Sequence, residues 1–456
     1  MNARVPIRIS QVGLRGVVGT GITPTHVLDF SAAFATLLGA PSKIIIGRDP
    51  RVSGQMIREG VASALMACGH NVVDLGIVST PVIQHAISAT DARGGISIGA
   101  SHMPADWNAL KFFGEQGSYL STAEAGELLD IYHLKKFEFA TWDRLGSYSR
   151  DEGALDRYID NLADVFDFDA LRHFRVLVDC CNGTSALILS RLRERFGLNF
   201  VLINDQTDGR AFAHEPATDQ RTVRMQLAPL MQLVGADAGF LFDVDSDRVA
   251  LATEAGVAVS EEMVLVLLAD EMLTIGPGDT VIANLSSTGL LEEVARQRNG
   301  KVIRVGVGRN AAADALAGFR PEQVAIAGEG TGAVMMPQFR FVYDGIASML
   351  AILTMMARRG ESLGSILATY PRYSILKGEV PLESHRIPQM MDDIENSYPE
   401  AKKSNLDGLR CDLGDAWFHV RVSQTAPVVR VIAEQRGDPP QALFDSLMDM
   451  VRSYNS

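Results

Sequence analysis

The chain has 456 residues, of which 47% are hydrophobic, and its formal net charge is −13. A chain of this length exceeds what one hydrophobic core usually holds, so we expect two to four domains of about 100 to 150 residues. The acidic balance argues against nucleic acid as a main partner, because binding to a phosphate backbone requires a broad basic face. An anionic ligand must therefore meet a local cluster of Arg and Lys.

Targeting signals and cysteine usage point to the cytoplasm. The first residues lack the apolar core of a signal peptide, and the longest apolar run, residues 345–357, is too short to span a bilayer. The four cysteines lack metal-ligand spacing, and the adjacent pair Cys180-Cys181 is poorly placed for an ordinary disulfide. We therefore expect a cytoplasmic protein with reduced thiols and no membrane partner. The sequence leaves monomer and homodimer equally open.

Strand and helix patterns alternate through the first third of the chain. Apolar runs predict strands, and apolar residues at 3.6-residue spacing predict helices. The expected strands are 42–47, 72–75 and 95–98, and the expected helices are 56–68, 81–88 and one opened by a capping box at Ser121 that extends to about 135. Residues 1–150 are therefore predicted to form an α/β domain.

The pattern restarts twice and then changes character. After the charged stretch 150–156, strands are expected at 174–179 and 200–203 around a helix at 185–196; a third set has strands at 279–284, 301–305 and 323–327. Residues 151–255 and 256–369 are thus predicted to be two further α/β domains, and the three modules resemble an internal repeat. From 370 onwards, alternating runs at 376–380, 417–422 and 428–433 and a helix at 440–454 predict an α+β domain, 370–456.

A candidate nucleophile lies in residues 99–111, directly after the predicted strand 95–98. Small residues, then Ser101-His102, then Pro104, predict a loop that presents the Ser101 hydroxyl at an exposed rim. An ordinary loop has the same composition, and a hydroxyl becomes a nucleophile only when its neighbours activate it. The segment alone leaves both interpretations open.

Three carboxylates at alternate positions, Asp243, Asp245 and Asp247, follow an apolar strand. Like charges so close repel one another, and a hard divalent cation with oxygen ligands removes that repulsion, so we expect Mg²⁺. An EF-hand is excluded because Arg248 occupies the position that requires glycine and strands flank the loop. A solvated acidic turn remains the alternative.

Two further stretches offer groups for sugars and phosphates. Glu329 and Thr331 lie in a glycine loop, where a carboxylate and a hydroxyl suit sugar hydroxyls; a turn that needs glycine only for its backbone shape is the alternative. Residues 421–430 place two arginines around Ser423 and Thr425, a natural cradle for a phosphate monoester, with a solvated hairpin as the alternative.

One fragment favours a different class of enzyme. Residues 305–311 follow a strand, open a helix and have Glu329 about twenty residues further on, which mimics a dinucleotide-binding fingerprint. It is a lone match, and a dehydrogenase would leave Ser101, the acidic triplet and the arginine-bracketed stretch unexplained.

Together and in this order, the four motifs resemble the α-D-phosphohexomutase family over essentially the whole chain. Residues 13–16, which contain Arg15, and 47–51 are similar to the N-terminal signatures of that family. Residues 107–111 and the Gly-Glu-Gly sequence around Glu329 look most like the archaeal-type phosphoglucosamine mutase branch. The resemblance implies a heart-shaped molecule with three similar α/β domains with mixed sheets and a C-terminal α+β domain, each giving one loop to a central cleft.

The resemblance also implies an enzyme and its site residues. A phosphohexomutase interconverts hexose 6-phosphate and hexose 1-phosphate through a phosphoserine and a 1,6-bisphosphosugar, uses Mg²⁺ and is activated by a compound of the glucose 1,6-bisphosphate type. The implied catalytic residues are Ser101, His102, Lys111, Arg15 and Arg248, and the implied metal ligands are Ser101, Asp243, Asp245 and Asp247. The implied substrate-binding residues are Glu329, Thr331, Arg309, Arg421, Ser423, Thr425 and Arg430.

Some positions depart from the family pattern. Met103 stands where Asn is usual, Val244 where Gly is common, and Gln424, Ala426 and Ala333 where Asn, Glu and His are common. Phosphoglucosamine mutase is the leading activity, phosphomannomutase/phosphoglucomutase is the alternative, and a non-catalytic sugar-phosphate binding protein is a distant third. The partner expected in each case is a phosphorylated hexose or hexosamine.

Overall fold

The structure is a computed structural model that describes residues 7–10, 13–210, 212–337, 339–423 and 428–454. The strands are β1 Arg8–Ser10, β2 Gly13–Val17, β3 Lys43–Arg48, β4 Asn71–Ile77, β5 Gly94–Ile98, β6 Trp107–Phe113, β7 Tyr148–Arg150, β8 Val176–Asp179, β9 Phe200–Ile203, β10 Ala238–Phe242, β11 Val249–Thr253, β12 Thr280–Asn284, β13 Lys301–Val305, β14 Val324–Glu329, β15 Ala333–Met335, β16 Tyr373–Pro381, β17 Lys402–Ser404, β18 Leu409–Asp412, β19 Ala416–Val422 and β20 Val428–Arg436.

The helices connect these strands and cover the sheets. They are α1 Pro24–Leu38, α2 Gly54–Ala67, α3 Thr80–Ser88, α4 Thr122–Leu134, α5 Ala154–Val165, α6 Phe168–Leu171, α7 Ser185–Phe196, α8 Gln220–Thr222, α9 Ala228–Val234, α10 Glu262–Ile275, α11 Leu290–Gln297, α12 Arg309–Leu316, α13 Gly345–Arg359, α14 Leu363–Ala368, α15 Ile387–Ser397 and α16 Gln441–Ser453. Within the described ranges, no helix is long and apolar enough to cross a membrane.

Local sequence signals account for several helix ends. Ser121 and Glu124 form the capping box predicted for α4, with the Ser121 side chain accepting a bond from the Glu124 amide. Gly197 ends α7 in a left-handed conformation with φ 66°, which an L side chain rarely adopts. Such caps satisfy amides and carbonyls that have no partner within the helix.

The first three sheets share a unit of four strands, to which the first sheet adds β1 and β2 at one edge and β7 at the other. Numbered along each module, the order is 2-1-3-4, which is β4-β3-β5-β6, β9-β8-β10-β11 and β13-β12-β14-β15. In every module the first three strands are parallel and the fourth is antiparallel to the third. The internal repeat predicted from the sequence is therefore confirmed at the level of topology.

The fourth sheet is different. Its five strands, in the order β16-β20-β19-β18-β17, are all antiparallel. A separate hydrophobic core under α15 and α16 includes Met390, Phe418 and Leu447. The predicted fold class, three α/β domains with mixed sheets and a C-terminal α+β domain, is thereby confirmed. The domain limits at 150, 255 and 369 stay predictions.

One prediction about local structure is wrong. No strand was predicted between residue 98 and the helix opened at Ser121, but β6 begins at Trp107 and pairs with both β5 and β2. All seven residues of β6 are buried, because both faces of this strand are covered, so the polar alternation that marks a half-exposed strand is absent. Lys111 therefore projects from a rigid strand, opposite Ser97 and Gly13.

Candidate active site

The motifs of the three α/β domains occupy equivalent places in their sheets. Residues 99–106 lie between β5 and β6, residues 243–248 between β10 and β11, and residues 330–332 between β14 and β15. Each motif thus follows the carboxyl end of the third strand of its module, where α/β sheets usually bind ligands. The repeated topology therefore places three loops of different sequence at the same position, between the third and fourth strands of each module.

Ser101 lies at the contact between the first and second domains. Its hydroxyl donates a hydrogen bond to Oδ2 of Asp243 over 2.5 Å and lies 3.4 Å from Nδ1 of His102. The prediction of an exposed hydroxyl is wrong: Ser101 is only 2% exposed, because the acidic loop of the second domain packs against it. Its backbone has a left-handed φ of 53°, and such conformations persist only where the surroundings fix them.

Arg51 fixes that backbone, a role that was not predicted for it. Its guanidinium donates to the carbonyl oxygens of Ser101 at 3.0 Å, Met103 at 2.7 Å, Trp107 at 3.1 Å and Pro104. Asp49 pairs with Arg51 Nε over 2.9 Å, and both side chains are fully buried. Asp49 also accepts from the Ala100 amide. No spacing rule could link Arg51 to a loop about fifty residues away, since only the folded loop brings the carbonyls together.

The acidic triplet forms a compact oxygen cluster. Asp243, Asp245 and Asp247 are buried, and one carboxylate oxygen from each lies within 4.8 Å of the others. Burial and the charges of Asp247 and Asp245 raise the pKa of Asp243 well above its usual value. Within the described residues, Oδ1 of Asp245 is buried without a hydrogen-bond partner. An oxygen-only donor set with an unpartnered carboxylate oxygen fits a hard divalent cation.

Val244 and Met103, two departures from the family pattern in these loops, are compatible with the structure. Val244 is absent from the residues with positive φ, whereas its neighbour Ser246 has φ 61°. Glycine is therefore not required at position 244. Met103 packs beside Ala100 and Trp107, so its side chain contributes to an apolar contact next to the serine.

Cations from two other domains surround the triplet. Lys111 of the first domain pairs with Asp245, and its Nζ lies 3.3 Å from Asp247. Arg309 of the third domain lies 2.9 Å from Asp247. Burial disfavours all of these charges, yet Arg309, Lys111 and Arg248 together hold the pKa of Asp247 far below its usual value, and the two aspartates raise that of Lys111. Lys111 is therefore protonated at neutral pH.

Two residues beside this cluster have depressed pKa values. Burial, followed by the charges of Arg248 and Arg15, lowers the pKa of His102 well below its usual value, so the imidazole is neutral. Burial and Arg248 likewise lower the pKa of Arg15 to about 10. A neutral His102 can donate or accept a hydrogen bond without adding positive charge.

A cavity of about 530 Å³ opens beside the cluster and is lined by all four domains. The predicted site residues that line it are Arg15, Lys111, Arg248, Arg309, Glu329, Thr331, Arg421, Ser423 and Arg430. Ser101, His102 and the three aspartates are not among the lining residues, and Lys111, Arg248 and Arg309 connect them to the cavity. Thr425 lies outside the described residues, as do Gln424 and Ala426.

The glycine loop of the third domain is held from two sides. The Gly330 amide donates to Oγ of Ser287 over 2.9 Å, and a Cβ at position 330 would lie 1.9 Å from Oε2 of Glu262. A side chain at position 330 would therefore displace the Glu262 carboxylate from its bonds to Lys377 and the Thr288 amide. The Thr331 hydroxyl lies 3.4 Å from the Glu329 carboxylate, so both polar groups face the same region.

The C-terminal domain docks on the third domain through ionic contacts that the sequence did not reveal. Lys377 donates to Glu261 and Glu262 over 3.0 and 2.9 Å, and Glu434 accepts from the Gly289 amide over 2.6 Å. Arg421 lies 3.2 Å from Asp407, whose other contact is the Val307 amide. These contacts place Arg421, Ser423 and Arg430 of the last domain at one end of the cavity.

Comparison with known proteins identifies the family. Models of the phosphoglucomutase/phosphomannomutase family match residues 8–138 as its α/β/α domain I, 156–256 as domain II and 260–373 as domain III. A probable phosphoglucosamine mutase of Methanopyrus kandleri is 30% identical over 444 residues, 96% of each chain. The chain belongs to this family. It is therefore an enzyme of the phosphohexomutase type, and neither a dehydrogenase nor a non-catalytic binding protein.

Other relatives agree with this assignment. A phosphoglucomutase/phosphomannomutase of Thermococcus kodakarensis is 29% identical over 93% of this chain and 94% of its own. A solved phosphoglucomutase/phosphomannomutase family structure from Burkholderia thailandensis superposes with a TM-score of 0.83 at 25% identity, covering 98% of this chain and 97% of the other. The similarity to the family thus extends through the C-terminal domain.

The buried contacts of Arg51 predict a large effect of its replacement. Arg51→Met leaves Asp49 charged and unpaired in the interior and frees four carbonyls, so the free energy of unfolding should fall by about 3–5 kcal/mol. Arg51→Lys keeps the positive charge but has fewer hydrogen-bond donors, so its free energy of unfolding should fall less than that of Arg51→Met. Urea unfolding followed by tryptophan fluorescence measures both.

A matched control is Arg93→Met, since Arg93 is 54% exposed and 3.8 Å from its partner Glu115. We expect a change of about 0.5 kcal/mol or less there. If Arg51→Met lowered the free energy of unfolding as little as Arg93→Met, the role of Arg51 in fixing the loop around Ser101 would be contradicted.

Proposed function

We propose that the enzyme is a phosphoglucosamine mutase that interconverts glucosamine 6-phosphate and glucosamine 1-phosphate through a phosphorylated Ser101. The observation that carries the proposal is the 2.5 Å contact between the Ser101 hydroxyl and Asp243. It sets a hydroxyl beside three carboxylates and several cations, next to a cavity large enough for a sugar phosphate. The name of the Methanopyrus kandleri relative supports the choice of sugar.

Phosphoryl transfer depends on stabilising charge and positioning the reacting oxygens. Asp243, Asp245 and Asp247, with an oxygen on Ser101, would hold Mg²⁺, which when bound neutralises the phosphoryl charge. Arg15 and Arg248 provide donors on the cavity side, and His102 lies beside the Ser101 hydroxyl. These side chains would hold the phosphoryl group in one orientation.

The protons that move during the reaction indicate that Lys111 acts as a general acid. When the bond from phosphorus to the Ser101 oxygen breaks, that oxygen gains a proton, while the sugar hydroxyl that attacks phosphorus loses one. Lys111, kept protonated by Asp245 and Asp247, can supply the first proton. It cannot accept the second until it has given up its own.

The remaining residues would bind the rest of the substrate. Glu329 would accept hydrogen bonds from sugar hydroxyls, and Thr331 could donate or accept one. Arg309, also of the third domain, adds a positive charge to the same part of the cavity lining. Arg421, Ser423 and Arg430, with Thr425, would hold the phosphate that does not react. A 1,6-bisphosphosugar formed in this cavity would turn over and return its other phosphate to Ser101, and a compound of the glucose 1,6-bisphosphate type would phosphorylate the resting enzyme.

Phosphomannomutase/phosphoglucomutase is the second candidate. The Thermococcus kodakarensis relative with that name is almost as similar to this chain as the relative named for glucosamine. Both reactions use the same phosphate chemistry and differ only at carbon 2 of the sugar.

A substrate panel separates these candidates. With Mg²⁺ and a trace of glucose 1,6-bisphosphate, the enzyme should isomerise glucosamine 6-phosphate faster than mannose 1-phosphate or glucose 1-phosphate, as judged by ³¹P NMR. Faster turnover of either neutral sugar would replace the first candidate by the second. Absence of turnover with all three would refute the mutase proposal.

The phosphoserine role predicts complete loss of activity in Ser101→Ala. The variant should also fail to acquire phosphate from glucose 1,6-bisphosphate, whereas phosphopeptide mass spectrometry of the wild type should locate phosphate at position 101. Ser88→Ala, at an exposed helix end, is the control and should retain full activity. A Ser101→Ala enzyme with appreciable turnover would contradict the role.

The metal site can be tested without turnover. Asp245→Asn removes the negative charge and replaces one carboxylate oxygen by an amide nitrogen that cannot bind a cation, so Mg²⁺ affinity measured by isothermal titration calorimetry should fall by about tenfold or more. Asp279→Asn is a control at a side chain that is 60% exposed and pairs with Lys301. Equal Mg²⁺ affinity in the wild type and in Asp245→Asn would exclude this residue as a ligand.

A further inference from the structure

Arg8 is a cavity residue that the proposed roles leave unassigned. It lies on β1, which pairs antiparallel with β2, and the register places Arg8 directly opposite Arg15. Both arginines line the 530 Å³ cavity. Side chains directly opposite each other in an antiparallel pair share one face, and like charges in that arrangement are destabilising. Two arginines facing one cavity therefore favour an anion within it.

The two arginines meet different charges. The groups that act on Arg15 are Arg248, Asp245 and Arg309, at the end of the cavity beside the acidic triplet. The groups that act on Arg8 are Arg430 and Glu379, which belong to the C-terminal domain. The paired strands β1 and β2 thus place Arg15 near the reacting end of the cavity and Arg8 near its phosphate-binding end.

Arg8 is the arginine at that second end that has no ion pair among the described residues. Arg421 pairs with Asp407, and Nε of Arg430 lies 2.9 Å from Glu379. Arg8 instead stacks on the Trp107 ring at 4.8 Å, and Glu379 acts on it only from beyond ion-pair distance. The Arg8 guanidinium is therefore the group of the three that is available to an anionic ligand.

Burial and neighbouring arginines disfavour the charges of two of these guanidinium groups. Burial and then the charge of Arg430 lower the pKa of Arg8, and burial and Arg430 both lower that of Arg421. Nε of Arg430 has no aligned hydrogen-bond acceptor among the described residues, although Glu379 is close. A phosphate dianion placed between these groups would supply both the missing charge and the missing acceptors.

We propose that Arg8 binds the non-reacting phosphate of the substrate together with Arg421 and Arg430. This inference rests on the proposed function, in which the last domain holds that phosphate. It adds a ligand from the first domain, so that the phosphate connects the two domains across the cavity. Because Arg8 and Arg15 lie opposite each other on paired strands, one pair of strands supplies a guanidinium group to each of the two phosphate positions.

The test measures binding of glucosamine 6-phosphate by isothermal titration calorimetry, which does not require turnover. Arg8→Gln should weaken binding by about tenfold or more and raise KM similarly, while kcat stays within about threefold. Arg8→Lys retains the charge and should recover part of the affinity. Arg93→Gln, at an exposed side chain, should bind like the wild type.

A double-mutant cycle distinguishes a shared phosphate from a structural role. If Arg8 and Arg430 hold one phosphate, the losses from Arg8→Gln and Arg430→Gln should not add, because the first change weakens the site on which the second acts. Additive losses, or affinity of Arg8→Gln within twofold of the wild type, would overturn the proposal. If Arg8→Gln unfolds, the Arg8→Lys cycle decides in the same way.

The two proposals fail differently. A wild-type enzyme that binds glucosamine 6-phosphate but converts none of the sugars refutes the mutase function and leaves the Arg8 result valid. A wild-type enzyme that turns over while Arg8→Gln binds normally refutes only the role of Arg8. A wild-type enzyme that binds no sugar phosphate refutes both.

Discussion

The concentration of negative charge beside Ser101 is the constraint on which the site depends. Three buried carboxylates within 4.8 Å repel one another strongly in a medium of low polarity. Arg248 supplies one positive charge from the loop itself, and the others come from outside it, since Lys111 belongs to the first domain and Arg309 to the third. Tyr119 of the first domain in turn accepts from Arg309 over 3.1 Å. The acidic loop of the second domain therefore gains most of its basic partners only where three domains meet.

The repeated strand order explains how one fold supplies such different loops. Each module presents its loop after the third strand, so the three loops can differ in sequence while the sheets keep one topology. Loops of this kind have backbone carbonyls without ladder partners, and buried carbonyls require donors. Arg51 meets this need around Ser101, and Arg304 does the same in the loop after β12, the first strand of its module, where it donates to the carbonyls of Asn284, Ser287 and Thr288 over 2.8 to 3.0 Å.

Sequence periodicity predicted most of what depends on local burial and little of what depends on side-chain contacts between domains. Helix α7 and strand β9 have the bounds expected from their patterns, because each has a regular apolar period and clear end signals. Strand β6 was missed because a strand covered on both faces shows no alternation. The contacts of Arg51 and Lys377 follow no periodicity, since their partners are distant in the sequence and meet only after the domains have docked.

The charge of the cavity also contrasts with that of the whole chain. The net charge of the chain is −13, yet the cavity lining contains eight Arg or Lys residues and three Glu residues. A cavity lined mainly by positive charges has a positive electrostatic potential, so it attracts a phosphorylated ligand in spite of the net negative charge of the chain. The basic residues respond to phosphate charge and not to the configuration of a sugar carbon. Discrimination between sugars that differ only at carbon 2 must therefore come from the acidic and uncharged side chains of the lining, which explains how relatives named for different sugars can resemble this chain equally.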